Sequence, residues 1–219
     1  MKVAIFDFDR TLFPEETFPL LMKHLKTHPK HSRKYRYFIS RILPVYAAYK
    51  CKLYPETKMK DYSMRCYISS FGSAPKTDIE QFFSELGGMM SKNLSEPVLK
   101  RLEQHRKDGY YIMIVSGAFE PLLNSVMKGI HFDSIIGTSI SFDNKKGRHL
   151  PLEYIHGIRK KEVIHKKLAS MDVDWENSFA YGDSYSDLSV LELVGNPVAV
   201  KPEPRLIQVA NKRKWEVIM

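Results

Sequence analysis

Two hydrophobic rhythms run along this chain, and the order in which they occur predicts its layout. Val3-Ala4-Ile5-Phe6 is an unbroken apolar run that gives way to Asp7-Phe8-Asp9. A central parallel strand delivers polar residues to the carboxyl edge of a sheet in this way. From 18 to 25 the apolar positions return at helical spacing, and the same rhythm marks 35–49, 77–90 and 96–106. Between 14 and 107 the pattern predicts no buried strand. Ser95 opens a partial capping box for the last of these helices, with Val98 at its third position.

After Asp108-Gly109 the period changes. Residues 110–115 read as a second buried strand ending at Ser116-Gly117, followed by a helix over 120–127. A third strand is predicted over 134–138, and Asp143-Asn144-Lys145-Lys146-Gly147 is a turn signal. A helix over 160–169 leads to a fourth strand over 178–181, which stops at Gly182-Asp183. A helix over 188–193, a strand over 197–200 and a helix over 205–212 complete the pattern. Strands alternating with helices predict an α/β fold with a mostly parallel sheet. The long helical stretch between the first two strands predicts an inserted cap. The expected division is a core of 1–13 and 108–219 and a helical cap of 14–107.

Composition narrows the class. In 219 residues, 43% are hydrophobic and 27% charged, which excludes disordered, collagen-like and coiled-coil chains. No apolar run approaches the ~20 residues of a membrane span. The N-terminus passes directly into the first strand without a basic head or small-residue cleavage site. Cys51 and Cys66 cannot make a disulfide framework. Reduced thiols and a cytoplasmic location are the expectation. The net charge of +9 is concentrated: 21–60 holds eleven Lys/Arg against one acid, Glu56. A local basic patch suggests an anionic partner.

The candidate chemistry sits just past the strand ends: Asp7 and Asp9, then Ser116, then Asp183 and Asp187. In an open α/β sheet the loops at that edge form the ligand site. Several carboxylates brought together repel each other unless a cation is present. Oxygen ligands with no His or Cys among them point to Mg²⁺ and away from zinc. A hydroxyl and a lysine nearby suit a phosphoryl group.

The residues also carry a resemblance. Asp7-Phe8-Asp9-Arg10-Thr11 resembles the DxDxT motif of the haloacid dehalogenase superfamily, and Val115-Ser116-Gly117 its second motif. Gly157-Ile158-Arg159-Lys160 resembles the GxxK form of the third, and Gly182-Asp183-Ser184-Tyr185-Ser186-Asp187 the fourth, GDSxxD. Four motifs in order, with the later Gly195 to Val200 and Trp215 to Ile218, resemble the phosphoserine-phosphatase-like branch with a helical cap after the first motif.

The resemblance implies a Rossmann-like core and a Mg²⁺-dependent phosphatase. Asp7 would be the nucleophile and Asp9 the general acid and base. Asp7, Asp183 and the Asp9 backbone carbonyl would hold the metal. Ser116, Gly117 and Lys160 would hold the phosphoryl group, with Arg159 and Lys161 as neighbouring cations that could face it instead. Thr11 would orient Asp9 or the loop, and Asp187 would support metal-bound water or Lys160.

In Glu16-Thr17, Glu16 would meet a substrate ammonium, and Arg65 a substrate carboxylate, which makes a phosphoserine-like small metabolite the leading expectation. The alternatives are a lipid-related phosphate at a membrane surface and phosphotransfer to an acceptor. The basic run 23–60 interleaves Lys and Arg with Tyr and Ile. It reads as a cap helix wetting one face, with weak contact to an anionic membrane as its alternative. No nucleic-acid motif accompanies it. His24, His28 and His31 read as solvated surface residues.

Overall fold

The sheet places its first strand at the centre, where the order of strands reverses. The computed structural model describes residues 1–140, 142–143, 148–149 and 152–219. After β1 (Val3–Phe6) come five helices: α1 (Thr17–Thr27), α2 (Ser32–Lys50), α3 (Glu56–Ser69), α4 (Lys76–Met90) and α5 (Glu96–Lys107). Then follow β2 (Tyr111–Phe119), α6 (Glu120–Val126), β3 (Ser134–Thr138), and the short antiparallel pair β4 (Phe142–Asp143) and β5 (Arg148–His149). The chain ends with α7 (Ile158–Leu168), β6 (Phe179–Gly182), α8 (Leu188–Leu191), β7 (Asn196–Val200), α9 (Pro204–Arg213) and β8 (Glu216–Ile218).

The order across the parallel sheet is β3-β2-β1-β6-β7-β8. The chain builds outward from β1 on one side and then on the other, so the switch point lies between β1 and β6. A crevice forms at the carboxyl ends there.

Side chains alternate across the sheet with period two. Val3 and Ile5 join Met113, Val115, Ala180 and Ala199 in the core beneath α7, α8 and α9. Ala4 and Phe6 join Ile112, Ile114 and Tyr181 in a larger core shared with the helical insertion. All four β1 residues are buried, as expected of a central parallel strand. This is the expected α/β architecture, a Rossmann-like sheet with inserted helices.

The segment expected to be cap, 14–107, is not uniform. α5 lies on the sheet: His105 hydrogen-bonds the Tyr181 hydroxyl at 2.7 Å, and burial lowers the His105 pKa to about 4. α4 packs along α6, with Gly87 directly against Ser125. The helices α1, α2 and α3 form the part that overhangs the strand ends.

Several expectations need correction. α3 is missing from the sequence reading because Met59, Ser63, Met64, Cys66, Tyr67 and Ile68 are all buried. A helix covered on several sides shows no single apolar stripe. β8 is only three residues at the sheet edge, too short for a periodic signal. β2 does not stop at Ser116-Gly117 but runs on to Phe119, with its register broken between Val115 and Phe119. The turn read over 143–147 lies outside the described residues apart from its first position. Ser95 makes no side-chain cap.

The histidines are not solvated: His28 and His31 are buried. His24, His28 and His31 pack around Phe82 with ring centroids at 4.5, 5.3 and 5.7 Å. Burial lowers the pKa of His24 and of His31. His24, His28 and Glu85 have ligand atoms close enough to share a metal. However, the Lys30 backbone N–H donates to His28 Nδ1 at 3.2 Å. The ring hydrogen therefore sits on Nε2 and is donated to Glu85 at 3.0 Å, leaving no lone pair there for an ion.

Candidate active site

Asp7 is held where β1 ends, because its backbone N–H still bonds the Tyr181 carbonyl at 3.0 Å. Phe8 turns into the core and stacks on Phe13, so Asp9 returns to the side of Asp7. Arg10 then adopts a left-handed φ of 55°, and Phe13 closes the loop through its N–H to the Phe8 carbonyl at 2.9 Å.

The Asp9 carboxylate accepts two hydrogen bonds from Thr17, from the backbone N–H at 3.0 Å and from the hydroxyl at 3.2 Å. Thr17 is the first residue of α1, so that N–H has no partner within the helix. Desolvation raises the Asp9 pKa to about 6, against the pull of the Thr17 donors. Such a group can carry a proton near neutrality or give it up. Thr11, expected to orient Asp9, is buried, and its hydroxyl meets no partner among the described residues.

Lys160 settles the choice among the three adjacent cations, since Arg159 is exposed and Lys161 half-buried. It is buried in the first turns of α7, with Nζ 2.7 Å from Asp7 Oδ1 and 2.6 Å from Asp187 Oδ1. Burial opposes its charge, but Asp187 and Asp7 outweigh that and raise its pKa. Asp187 is fixed in turn by Ser184, whose N–H and hydroxyl reach Oδ2 at 3.2 and 2.9 Å. Gly182 permits this return, because a Cβ there would lie 2.8 Å from the Asp187 Cβ.

From β2 come Ser116 and Gly117. The buried Ser116 hydroxyl accepts the Ala118 N–H at 3.1 Å. A Cβ on Gly117 would stand 2.9 Å from the Ile155 carbonyl and 3.3 Å from the Tyr154 ring. Only glycine lets the bulged strand and the 154–155 segment approach this closely.

Asp7, Asp183 and Asp187 bring carboxylate oxygens within 4.8 Å of one another. Burial and the negative charge of Asp187 raise both Asp7 and Asp183, Asp183 to about 7, although Lys160 offsets part of this. The donor set is all oxygen and crowded with like charge, which suits a hard divalent cation such as Mg²⁺. Because Lys160 and Ser184 occupy the oxygens of Asp187, that residue acts as a support for the cluster.

Asp7, Asp9, Ser116, Gly117, Lys160 and Asp183 line one end of a cavity of about 740 Å³ that continues beneath the cap. Thr11, Arg65 and Asp187 are not among its lining residues. Glu16 is, but it is paired with Arg10 at 2.8 Å. The Arg65 guanidinium is held by Asp61, four residues earlier on α3, at 2.7 and 3.0 Å. The two residues expected to read phosphoserine therefore bind other protein groups.

Sequence reasoning missed Thr17 as the holder of Asp9, and Tyr154 and His156 as cavity walls. Thr17 had a visible signal, a hydroxyl at a helix start following an acidic loop. Tyr154 and His156 lie directly before the GxxK motif.

Comparison with known proteins agrees with this geometry. The profile of the haloacid dehalogenase-like hydrolase family matches residues 4–192. A phosphoserine phosphatase of Mycobacterium tuberculosis is 27% identical over 116 residues, covering 52% of this chain and 38% of that protein. A histidinol-phosphatase of Neisseria meningitidis is 25% identical over 234 residues, covering 99% and 98%. The chain thus spans well under half of the first relative and nearly all of the second.

Among solved structures, a protein of unknown function from Bordetella pertussis superposes with a TM-score of 0.79 at 18% identity, covering 100% and 98% of the two chains. A phosphoserine phosphohydrolase-like protein from Francisella tularensis gives 0.63 at 18% identity, covering 99% and 94%. These likenesses establish the fold.

Proposed function

The chain belongs to the haloacid dehalogenase-like hydrolases, and from that premise we propose that it hydrolyses phosphate monoesters through an aspartyl-phosphate on Asp7. The observation that supports this most directly is the buried Lys160 ammonium between Asp7 and Asp187, beside Asp183, at the switch point.

Lys160 engages Oδ1 of Asp7, which leaves Oδ2 to attack phosphorus. The bond to Oδ2 forms as the bond to the ester oxygen breaks. Asp9, protonated, gives its proton to the departing oxygen. As a carboxylate it then takes a proton from the water that cleaves the acyl phosphate. Thr17 holds it in place for both tasks. Lys160 and the Ser116 hydroxyl neutralise and bind phosphoryl oxygens. Asp7, Asp183 and the Asp9 carbonyl would hold Mg²⁺, which when bound masks the negative charge that otherwise repels the phosphate dianion.

The phosphoserine reading has less support in the geometry, since Glu16 and Arg65 are paired with Arg10 and Asp61. The experiment is phosphate release from p-nitrophenyl phosphate with Mg²⁺, together with acid-quench trapping of labelled protein. Release that stops with EDTA and a label cleaved by hydroxylamine support the reading. Phosphate release without such a label would overturn the covalent route, and no release from any monoester would overturn the activity.

A further inference from the structure

The roof of the cavity differs in kind from its floor. Phe38, Ile39, Ile42, Leu43 and Tyr46 of α2, with Met59 of α3, line it. Along α2 these positions, with Tyr35 and Tyr49, recur every three or four residues and so share one helix face. That face runs roughly 20 Å. Phe38 and Ile42 anchor this stripe in the core, as such a stripe normally is, and the same face also borders the cavity. Leu43 is 59% exposed and Tyr46 43%, so the apolar wall continues to the surface.

The charged groups that line the cavity away from the phosphate end are already partnered. Glu16 pairs with Arg10, and Lys60 with Glu56 at 2.8 Å. Glu203 accepts the Tyr185 N–H at 2.9 Å. His156 has its pKa lowered by burial and offers a neutral ring. Glu16 and Lys60 thus have ionic partners, while Glu203, which has no cationic one, stands beside the phosphate end, its own N–H bonding the Asp183 carbonyl at 2.9 Å. The surface offered to a leaving group is hydrocarbon and aromatic.

We propose that the substrate is an amphiphilic phosphate monoester, whose phosphate meets Asp7 and Lys160 while its apolar leaving group lies along the α2 face. This rests on the phosphomonoester reading above and adds the class of ester. A cavity of this volume is in the range that encloses a drug-sized ligand, and its mostly apolar lining is usual for such sites.

The test uses the intact protein with Mg²⁺ and monomeric ethyl, butyl, hexyl and octyl phosphates, with p-nitrophenyl phosphate and phosphoserine alongside. Each methylene buried should raise kcat/KM about three- to fourfold, so that octyl exceeds butyl on the order of a hundredfold. A flat or falling series, or phosphoserine outrunning octyl phosphate, overturns the proposal while leaving phosphatase activity intact. If every ester including p-nitrophenyl phosphate is inert, the phosphomonoester reading falls and takes this one with it.

Leu43→Asn, at an exposed position, and Ile39→Asn should flatten the chain-length dependence. A wild-type slope in both variants means the chain lies elsewhere and overturns the assignment. A diacyl phosphatidic acid in phosphatidylcholine vesicles separates the sources of such an ester. Turnover matching octyl phosphate assigns it to a bilayer, and turnover confined to the dissolved series assigns it to a soluble amphiphile. Both outcomes support an apolar leaving group.

Discussion

The two ends of the one cavity are built on opposite principles. At the floor, polar groups from four separate segments converge, and Asp7, Lys160, Asp187 and Ser184 interlock at 2.6–3.2 Å. Asp7, Lys160 and Asp187 are buried charges, so each must be matched by the others. At the roof, one helix face supplies loosely equivalent apolar side chains, and its edge reaches solvent. An atom misplaced at the floor leaves a charge uncompensated, whereas a side chain exchanged at the roof's exposed edge only changes area. Reaction type is therefore fixed by the floor, and ester preference can change at little cost to the fold through the exposed edge of the roof, Leu43 and Tyr46, whereas Phe38, Ile42 and Met59 are also core.

The sharpest way to break that contrast is at the nucleophile. Asp7→Asn keeps the shape and removes the attacking oxygen, so turnover should fall by at least about a thousandfold with the fold intact. Wild-type turnover in this variant would sink the covalent scheme. Next comes Lys160→Met. With Asp7 and Asp187 left facing each other, the fold should lose about 3–5 kcal/mol in urea titrations with EDTA. Activity should drop roughly 10²- to 10³-fold. Mg²⁺ should recover part of the stability because a cation again balances the carboxylates. An unchanged unfolding midpoint would show that the network carries no such balance.

The same contrast explains what could be read from the chain. The floor follows strand ends, and each apolar run stopping at an Asp, or at Ser116, is a local signal with fixed spacing. That is why the sheet core and Asp7, Asp9, Ser116 and Asp183 were legible, whereas Lys160, on a helix, was reached only through the resemblance of 157–160 to a motif, with Arg159 and Lys161 as alternatives. The roof depends on contacts made across the insertion. The buried histidines needed Phe82, more than fifty residues away, to be understood. α3 was hidden because it is buried on several sides. Arg65 was the exception: Asp61, one helical turn earlier, was a visible local partner, and i,i+4 pairs of this kind form readily.

Between floor and roof stands Thr17, which fixes Asp9 from the first turn of α1. Its two hydrogen bonds favour the carboxylate and hold the Asp9 pKa down, at about 6. Thr17→Val removes the hydroxyl but keeps the N–H. A hydrogen bond to a charged group is worth about 1.5–3 kcal/mol, so the pKa should rise by about one to two units. Water activation needs Asp9 ionised, and the acid limb of the pH profile should therefore move up. At pH 6 turnover should fall roughly tenfold, with little change at pH 8. A limb that stays in place would separate Thr17 from the acid–base step.

The smallest expected effect tests the roof against the resemblance to phosphoserine phosphatases. If Arg65 read a substrate carboxylate, Arg65→Ala would cost about 2–5 kcal/mol in kcat/KM for phosphoserine. In this structure its guanidinium belongs to Asp61, both side chains are more than a third exposed, and neither lines the cavity. An exposed i,i+4 pair is worth about 0.3–0.5 kcal/mol. Arg65→Ala should thus lower stability by no more than that and change kcat/KM for phosphoserine and for octyl phosphate by less than about twofold. The two substrates should also move together. A selective loss on phosphoserine would return Arg65 to the site and require α3 to turn it inward when the ester binds.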